Sequence, residues 1–171
     1  MYGRPLVPED FTVPTGFDGP GYRLRMLSID DLEKDFEAVM ASAGRILGLF
    51  DPASSWPEGL DLKEDLIDLA WHQREFTLRR SFAYTVVSKD ETRCLGCVYF
   101  FPSASPRYDA VAFYWVRSGE DADQRDVELG ARVRHWLATD WPFKSVAFPG
   151  RDIPWQEWAP IQSAQEDPRT P

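Results

Sequence analysis

The spacing of apolar residues alternates along the chain between a period of two and a period near 3.6. Residues 22–27 alternate apolar and polar side chains, which predicts a strand. Ser28 stands three residues before Asp31, the spacing of a capping box, so a helix is predicted to begin there. The helix is expected to end near Gly44 or Gly48. Its apolar stripe consists of Leu32, Phe36, Val39, Met40, Ala43 and Leu47.

A second helix is predicted to begin near residue 62, after a loop that is rich in proline and serine. Its apolar residues recur at helical spacing, which predicts a single buried face. That face is formed by Leu62, Leu66, Leu69, Gln73 and Phe76. The other faces carry the acidic residues Glu64, Asp65, Asp68 and Glu75.

Strands dominate the second half of the chain. Residues 82–87 and 94–101, joined by a polar turn, predict a β-hairpin. Residues 109–117 are apolar on both faces, which predicts a central strand covered on both sides. A helix over 124–139 leads to a last strand over 143–148, parallel to the strand before the helix. The order β-α-α-β-β-β-α-β predicts an α/β fold, a mixed sheet with helices on both faces.

The two ends of the chain differ from the middle in composition. Prolines and glycines interrupt residues 1–20, which are therefore predicted to form an extended N-terminal arm. Phe11, Val13 and Phe17 could still dock this arm on the folded body. The body is predicted to be one domain over 21–158, and the polar stretch 159–171, with three prolines, a tail. These boundaries leave one domain with two appendages.

Charge and composition exclude several classes of protein. The 171 residues include 19 Lys and Arg against 28 Asp and Glu, a formal net charge of −9. This surplus of acid argues against a general binder of nucleic acid or of anionic membranes. The apolar runs are too short to span a bilayer, and no apolar segment of a secretory signal follows the first residues. The simplest expectation is a soluble cytoplasmic protein.

Local sequence adds to the element order. In Cys94-Leu95-Gly96-Cys97-Val98-Tyr99 a glycine precedes alternating apolar residues. Phe113-Tyr114-Trp115-Val116 leads into a loop and a helix, and Tyr22-Arg23-Leu24-Arg25 opens the first strand. Over residues 21–148 this arrangement resembles the GNAT superfamily of N-acyltransferases.

The resemblance implies a GNAT-like fold and an acetyl-CoA-dependent N-acetyltransferase, in which a small amine attacks the thioester directly. In this family acetyl-CoA lies in a wedge between two parallel strands. The backbone of Trp115, Val116 and Arg117 would then hold the pantetheine. The helix start near Gln124 and Arg125 would take the pyrophosphate, because backbone N–H groups at a helix start attract anions.

The sequence departs from the family in two places. The glycine-rich loop before the helix is absent, and four acids would repel phosphates there, namely Glu120, Asp121, Asp123 and Asp126. The β-hairpin that usually follows the last strand is also missing, as in a C-terminally truncated member. Both departures favour an alternative, a GNAT-fold binding or interaction protein without transferase activity. Its open sheet edge could be covered by the N-terminal arm or by a second copy of the chain in a homodimer.

Four side chains are candidates for proton transfer during acyl transfer. Asp109, at the start of the central strand, and His72, in the second helix, are candidate bases toward the amine. Tyr99 and Tyr114 are candidate acids toward the departing thiolate. The alternative for each is structural: a solvated aspartate, a hydrogen-bonded histidine, or an aromatic ring of the core.

Arg151 and Trp155 follow the last strand, at the end of the sheet where α/β proteins bind ligands. They are candidates for binding an anionic or flat substrate. In the alternative interpretation, Trp155 and Trp158 fill the wedge that the missing hairpin leaves open.

Cys94 and Cys97 form a C-x-x-C pair, which occurs in redox and zinc sites. Residues three apart in a strand point to opposite faces, so a bulge at Gly96 would be needed to bring the thiols together. Zinc would need two more ligands, and His72 and His135 are the only histidines. We therefore predict no metal site and two buried cysteines that act as small hydrophobic residues, with a thiol-redox role left open.

Overall fold

The computed structural model describes residues 4–166, and the side chains of residues 4–161. Its centre is a six-stranded sheet in which each strand is the neighbour of the next along the chain. The strands are β1 (Gly16–Gly19), β2 (Tyr22–Met26), β3 (Phe82–Ser88), β4 (Cys94–Pro102), β5 (Ala110–Val116) and β6 (Val146–Ala147). Neighbouring strands are antiparallel except β5 and β6, which are parallel as predicted.

Five helices and one 3-10 turn pack on this sheet. The turn (Ile29–Asp31) leads into α1 (Leu32–Ala41), and α2 (Ala43–Ile46), α3 (Leu62–Thr77), α4 (Ala122–Asp140) and α5 (Trp155–Glu166) follow. Ser28 and Asp31 form both bonds of the predicted capping box. The mixed α/β fold is confirmed, and the elements follow the predicted order, except that the first predicted helix is divided into α1 and α2. The structure also adds β1 before these elements and α5 after them. None of the described helices combines the length and apolar character needed to cross a membrane.

Both appendages are more ordered than the proline content suggested. β1 lies inside the segment predicted as an arm and pairs with β2 through main-chain hydrogen bonds. Phe11, Val13 and Phe17 pack against the core, as the sequence allowed. At the other end α5 runs across the predicted domain boundary at residue 159, with Pro160 inside it. Residues 167–171 of the predicted tail lie outside the described residues.

Strand β5 is buried along its whole length, as predicted for a central strand. Alternate residues of a strand point to opposite faces, so β5 contributes to two separate cores. Ala112, Tyr114 and Val116 pack on the face that α4 covers. The other core, which includes residues of α1 and α3, receives Phe113 and Trp115. The two faces of one strand therefore border two different environments.

The predicted buried faces of the first two long helices are wrong in part. Leu62 and Leu66 of α3 are 49% and 40% exposed, whereas Asp65 is 3% exposed. In α1, Asp35 is likewise only 3% exposed, although Met40 is 41% exposed. Compared with the prediction, each helix is rotated about its axis, so that a carboxyl group rather than an apolar side chain points toward the sheet. Hydrophobic spacing could not predict this rotation, since it assigns acids to solvent.

Candidate functional site

A cavity of about 280 Å³ lies between α1, α3, the loop between α2 and α3, and the sheet. The two rotated helices supply its polar wall, with Asp35 from α1 and Asp65 and Asp68 from α3. Aromatic rings form the rest of the wall. The aromatic and histidine lining consists of Phe50, Trp56, Trp71, His72, Tyr99 and Phe101. Among the described residues, no arginine or lysine lines this cavity.

The carboxyl groups of the cavity are strongly affected by burial. Burial, with the charge of Asp65 as the next contribution, raises the pKa of Asp35 to about 7. Burial and the charge of Asp68 raise the pKa of Asp65 to about 6. The pKa of Asp68 is also raised, by burial and by the charge of Glu64. One oxygen of Asp65, Oδ2, is buried and has no hydrogen-bond partner. Such a group is costly unless a ligand satisfies it.

His72 and Tyr99, two of the four predicted proton-transfer residues, meet in this cavity with their ring centroids 5.2 Å apart. Burial lowers the pKa of His72 to about 4, so the imidazole is neutral at pH 7. Burial raises the pKa of Tyr99 well above its usual value, so the phenol keeps its proton. The Tyr99 hydroxyl accepts a 3.2 Å hydrogen bond from Nε1 of Trp115 in β5.

The thiols of Cys94 and Cys97 lie on the same side of β4, beneath the cavity. The register between β3 and β4 shifts at Gly96, whose φ of +154° is unfavourable for other residues. This is the bulge that the spacing required. Cys97 Sγ lies 3.3 Å from Asp35 Oδ1 and Cys94 Sγ lies 3.9 Å from it.

These three side chains are the one group of potential metal ligands found among the described residues, with donor atoms within 4.8 Å of one another. The thiols already donate to the Asp35 carboxylate, which accounts for their position without an ion. Three donors also fall short of the four that a structural zinc site takes. Burial raises the pKa of Cys97, the opposite of what a reactive redox thiol needs.

The cavity lies beside an opening in the sheet. β5 and β6 pair only at Ala110–Val146 and Val111–Ala147, and beyond these pairs they separate. Tyr99 of β4 is the Cα partner of Phe113, two residues past the last β5–β6 pair. Adjacent strands are about 4.8 Å apart, so the cavity wall and the free edge of β5 are neighbours.

The helix that follows this free edge begins at Ala122, after the loop predicted to contact a pyrophosphate. The backbone N–H of Arg117 is still used by β4, donating to Leu95 at 2.7 Å. The Arg117 side chain pairs with Glu37 of α1, and Gln124 is exposed.

Most of the acidic residues in this loop and at the start of α4 form ion pairs with arginines. Asp121 pairs with Arg125 one helical turn later. Asp123 binds an arginine of α2, Arg45, at 2.8 Å. The expected repulsion of phosphates is therefore reduced, because arginines neutralise three of the four acids. The third such pair joins Asp126 and Arg151.

Arg151 extends from the loop after β6 to the free edge of β5. Its Nη2 donates to the Tyr114 carbonyl at 2.9 Å, and its guanidinium lies 3.6 Å from the centroid of the Tyr114 ring. Asp126 of α4 accepts both of its other bonds, at 2.7 and 2.9 Å. Trp155 stacks on Phe113 at 6.4 Å, and Trp158 is 3% exposed. In this structure Arg151 and Trp155 thus cover the opening, whereas Trp158 packs against Tyr108 near the paired end of the two strands.

Asp109 and Tyr114 are not brought to the cavity. The Asp109 carboxylate accepts from the backbone N–H groups of Lys144 and Ser145, at 2.6 and 3.1 Å, and ties β5 to β6 at their paired end. Four residues of extended strand, roughly 13 Å, separate it from Phe113. Tyr114 points to the α4 face, where its hydroxyl accepts from Arg134 at 3.2 Å.

A larger groove of about 550 Å³ lies on the α4 face, between β1 and α4. His135 lines it, but the charged groups there have partners in solvent-exposed pairs. Glu128, for example, accepts from Tyr22 and from Arg132. Among the described residues that line the groove, the buried atom without a hydrogen-bond partner is the neutral indole N–H of Trp136, whereas in the smaller cavity it is a carboxyl oxygen of Asp65. Because the carboxyl group has the stronger need of a partner, we place the candidate site in the smaller cavity.

Comparisons with known proteins gave matches by structure but not by sequence. No protein-family model and no curated protein matches the sequence. Solved structures do match. The ribosomal-protein-S5-alanine acetyltransferase from Vibrio fischeri has a TM-score of 0.60 at 14% identity, over 89% of this chain and 82% of that chain. The chain has the fold of the GNAT acetyltransferases.

Two further structures with this GNAT fold differ in what they are reported to act on or bind. FdhC, a nucleotide-linked sugar GNAT, has a TM-score of 0.58 at 13% identity over 82% of this chain and 76% of its own. The microcin C7 self-immunity acetyltransferase MccE, solved with acetyl-CoA and AMP, has a TM-score of 0.54 at 10% identity over 75% of this chain and 71% of its own. At these identities the likeness establishes the GNAT fold alone.

Sequence reasoning missed the three carboxyl groups of the cavity in this GNAT fold. Two of them, Asp65 and Asp35, lie on helix faces that also carry apolar residues, so hydrophobic spacing alone does not distinguish them from solvent-exposed acids. Asp65, Leu69, His72 and Phe76 recur at the spacing of one helical face, and that face meets the sheet. A search for helix faces that mix acids with apolar residues would have marked Asp65 and, in α1, Asp35.

Proposed function

We propose that this GNAT-fold protein is an acetyl-CoA-dependent N-acetyltransferase whose acceptor, a small amine, binds in the acidic cavity. One observation carries the proposal: the cavity wall at Tyr99 pairs with Phe113, where β5 loses its neighbour β6. An acceptor in the cavity and a thioester along the free strand edge would therefore lie one strand apart.

The opening offers main-chain groups and a helix start, which are the kinds of group that could bind a CoA thioester. The main chain of Trp115, Val116 and Arg117 would hold the pantetheine, and the start of α4 near Gln124 and Arg125 would face the phosphates. The arginine partners of Asp121 and Asp123 support this assignment. When bound, the thioester supplies the acetyl carbon that the amine nitrogen attacks, and its C–S bond breaks.

This chain's residues then manage the protons. Asp65 holds the ammonium group and takes its proton, and the raised pKa of about 6 makes it a stronger base than an ordinary aspartate. His72 is neutral at pH 7, so one of its ring nitrogens can accept a hydrogen bond from the amine. Burial raises the pKa of Tyr99, so the phenol keeps its proton until the C–S bond breaks. The attacking nitrogen then gives its second N–H proton to His72, and Tyr99 donates its own proton to the departing sulfur. The proton on His72 passes to Tyr99, whose ring lies 5.2 Å away, and restores both side chains.

Calorimetric titration of acetyl-CoA into the full chain, with CoA and ATP as comparisons, is the first test. Micromolar binding with preference over ATP is expected. Release of free CoA thiol is then followed with a panel of amines. His72→Gln should lower kcat/KM about a hundredfold, and His135→Gln, on the α4 face, should leave it unchanged. No heat and no shift in melting temperature at millimolar acetyl-CoA would contradict the proposal.

A GNAT-fold binding protein without transferase activity is the second candidate. The contact between Arg151 and the Tyr114 carbonyl favours it, because this contact uses a main-chain acceptor on the free edge of β5. Amine binding without any acetyl-CoA binding would be its result. The homodimer predicted from the open sheet edge is a separate question, which a measurement of the molecular mass in solution would test.

A further inference from the structure

The cavity is specific in its charge as well as in its position. We propose that it recognises one protonated primary amine carried on a compact apolar or aromatic body, the chemical class of the arylalkylamines. This inference rests on the proposed function in calling the ligand an acceptor. The recognition itself requires neither a thioester nor turnover, so the two can fail separately.

The first argument is the charge of the wall. Asp35, Asp65 and Asp68 face the cavity, and no lining residue that the structure describes carries a fixed positive charge. His72 is neutral at pH 7, and Tyr99 keeps its proton. A ligand with a carboxylate or phosphate would meet like charge and find no cationic partner. An ammonium group meets only opposite charge.

The second argument is the unsatisfied oxygen of Asp65. The residue is 3% exposed, its Oδ2 has no hydrogen-bond partner, and it belongs to the cavity wall. A buried carboxylate oxygen without a donor is rare in native proteins and indicates a missing partner. A primary ammonium group brings three N–H donors on one compact charge. It can satisfy Asp65 and still bond to a second acceptor in the wall.

The third argument is the shape and chemistry of the remaining surface. Phe50 is the hub of the aromatic wall, with ring centroids 5.4 Å from Trp56, 5.1 Å from Tyr99 and 6.3 Å from Phe101. Such rings favour a flat apolar body and also attract a cation placed over their faces. At about 280 Å³ the cavity is small, and a linear diamine would leave the contacts of its aromatic wall unused.

The test uses 2-phenylethylamine as the probe, titrated into the full chain without acetyl-CoA and followed by calorimetry and melting temperature. Three comparison ligands isolate one property each. They are 2-phenylethanol, without the charge; phenylalanine, with an added carboxylate; and 1,4-diaminobutane, without the ring. We expect 2-phenylethylamine to bind at least about tenfold more tightly than each of them, because only it satisfies both the acid and the rings.

Asp65→Asn keeps the shape of the side chain and removes the charge, and should weaken 2-phenylethylamine binding about thirtyfold. Glu33→Gln is the matched control, since it removes one charge from the exposed side of α1 and should change binding less than twofold. Should Asp65→Asn fail to fold, Asp68→Asn carries the same test at the more exposed carboxyl, with a loss of about threefold expected.

Several outcomes would overturn the inference. Equal binding of the amine and the alcohol would remove the role of charge, and tighter binding of the diamine would remove the role of the rings. Competition by Mg²⁺ or Zn²⁺ for the same site would assign the carboxylates to a metal. No binding of 2-phenylethylamine at about 10 mM would also reject it, because a native-state ligand must raise the melting temperature.

Discussion

The two faces of the sheet are built from the same strands but differ in content. Toward α4, Phe100 contacts the rings of Tyr84, Trp136 and Trp141 in a closed aromatic core. Toward α1 and α3, its neighbour Phe101 lines a cavity with carboxyl groups in its wall. Successive residues of one strand thus pack in a closed core on one face and line the candidate site on the other.

The unsatisfied atoms of the two faces differ in the same way. On the α4 face they include the indole N–H groups of Trp136 and Trp141, which are neutral and surrounded by aromatic rings that can accept weakly. On the cavity face they include a carboxyl oxygen of Asp65. The first kind is tolerated by a core, whereas the second needs a ligand or a proton.

The largest expected difference between the faces is in stability. Phe100 is fully buried, and Phe100→Ala should lower the free energy of unfolding by about 3–5 kcal/mol, from lost burial and a new void. Phe101→Ala, on the half-buried ring beside it, should cost about 1–2 kcal/mol and weaken amine binding. Chemical denaturation of both variants measures this. Equal losses would mean that the cavity face is packed as tightly as the α4 face.

Gly130 tests how closely the α4 face is packed. A Cβ at this position would lie 2.1 Å from the Tyr114 hydroxyl, so Gly130→Ala should lower the unfolding free energy by about 1–3 kcal/mol. Tyr114→Phe removes the oxygen that clashes. The double variant should therefore lose less than the sum of the two single losses, as a double-mutant cycle would detect. If the losses of the two single variants simply add, the new methyl group does not clash with the Tyr114 hydroxyl.

The pH dependence of stability sharpens the contrast on the cavity side. The pKa of Asp35 is raised from an ordinary 3.8 to about 7, so its stabilising proton is fully present below pH 3.8 and lost as the pH rises through 7. His72, with its pKa lowered from 6.5 to about 4, acts in the opposite direction: stability is lost as the pH falls from 6.5 to 4. One such group changes the unfolding free energy by at most about 1.4 kcal/mol per pH unit.

Denaturation at several pH values between 4 and 7 separates these two contributions. Asp35→Asn should make the slope of unfolding free energy against pH more positive, and His72→Gln should make it more negative. Variants that shift the slope in the same direction would contradict the assignment of a protonated Asp35 and a neutral His72 in the cavity.

The smallest expected effect concerns the opening between the strands. Arg151→Ala removes a partly exposed ion pair and one bond to the Tyr114 carbonyl, so it should cost about 1 kcal/mol of stability. It should also tighten acetyl-CoA binding about threefold, because a covered strand edge lowers apparent affinity. Arg107→Ala, an exposed arginine elsewhere, is the control for calorimetry. Unchanged affinity would mean that Arg151 does not cover the edge that the thioester uses.

Some features of the candidate site could be predicted from sequence, and others could not. His72 and Tyr99 were chosen by residue type, and the structure places both in one cavity. Asp109 was chosen in the same way, but it ties β5 to β6 at the far end of the strand. Residue type indicates what chemistry a side chain can do. Its location depends on the strand register and helix rotation that local patterns do not contain.

The sequence by itself determined the elements between residues 22 and 148 and their order, because apolar periods of two and 3.6 act within a few neighbouring residues. It did not determine β1 or α5, which lie in segments with interrupting prolines. It also determined the capping box at Ser28 and the burial of β5 on both faces, since the residues of this strand are apolar on both sides. The tertiary structure decided which faces of α1 and α3 meet the sheet. Burying Asp35 and Asp65 there depends on thiols, rings and other acids distant in sequence, and no local hydrophobic pattern records that environment.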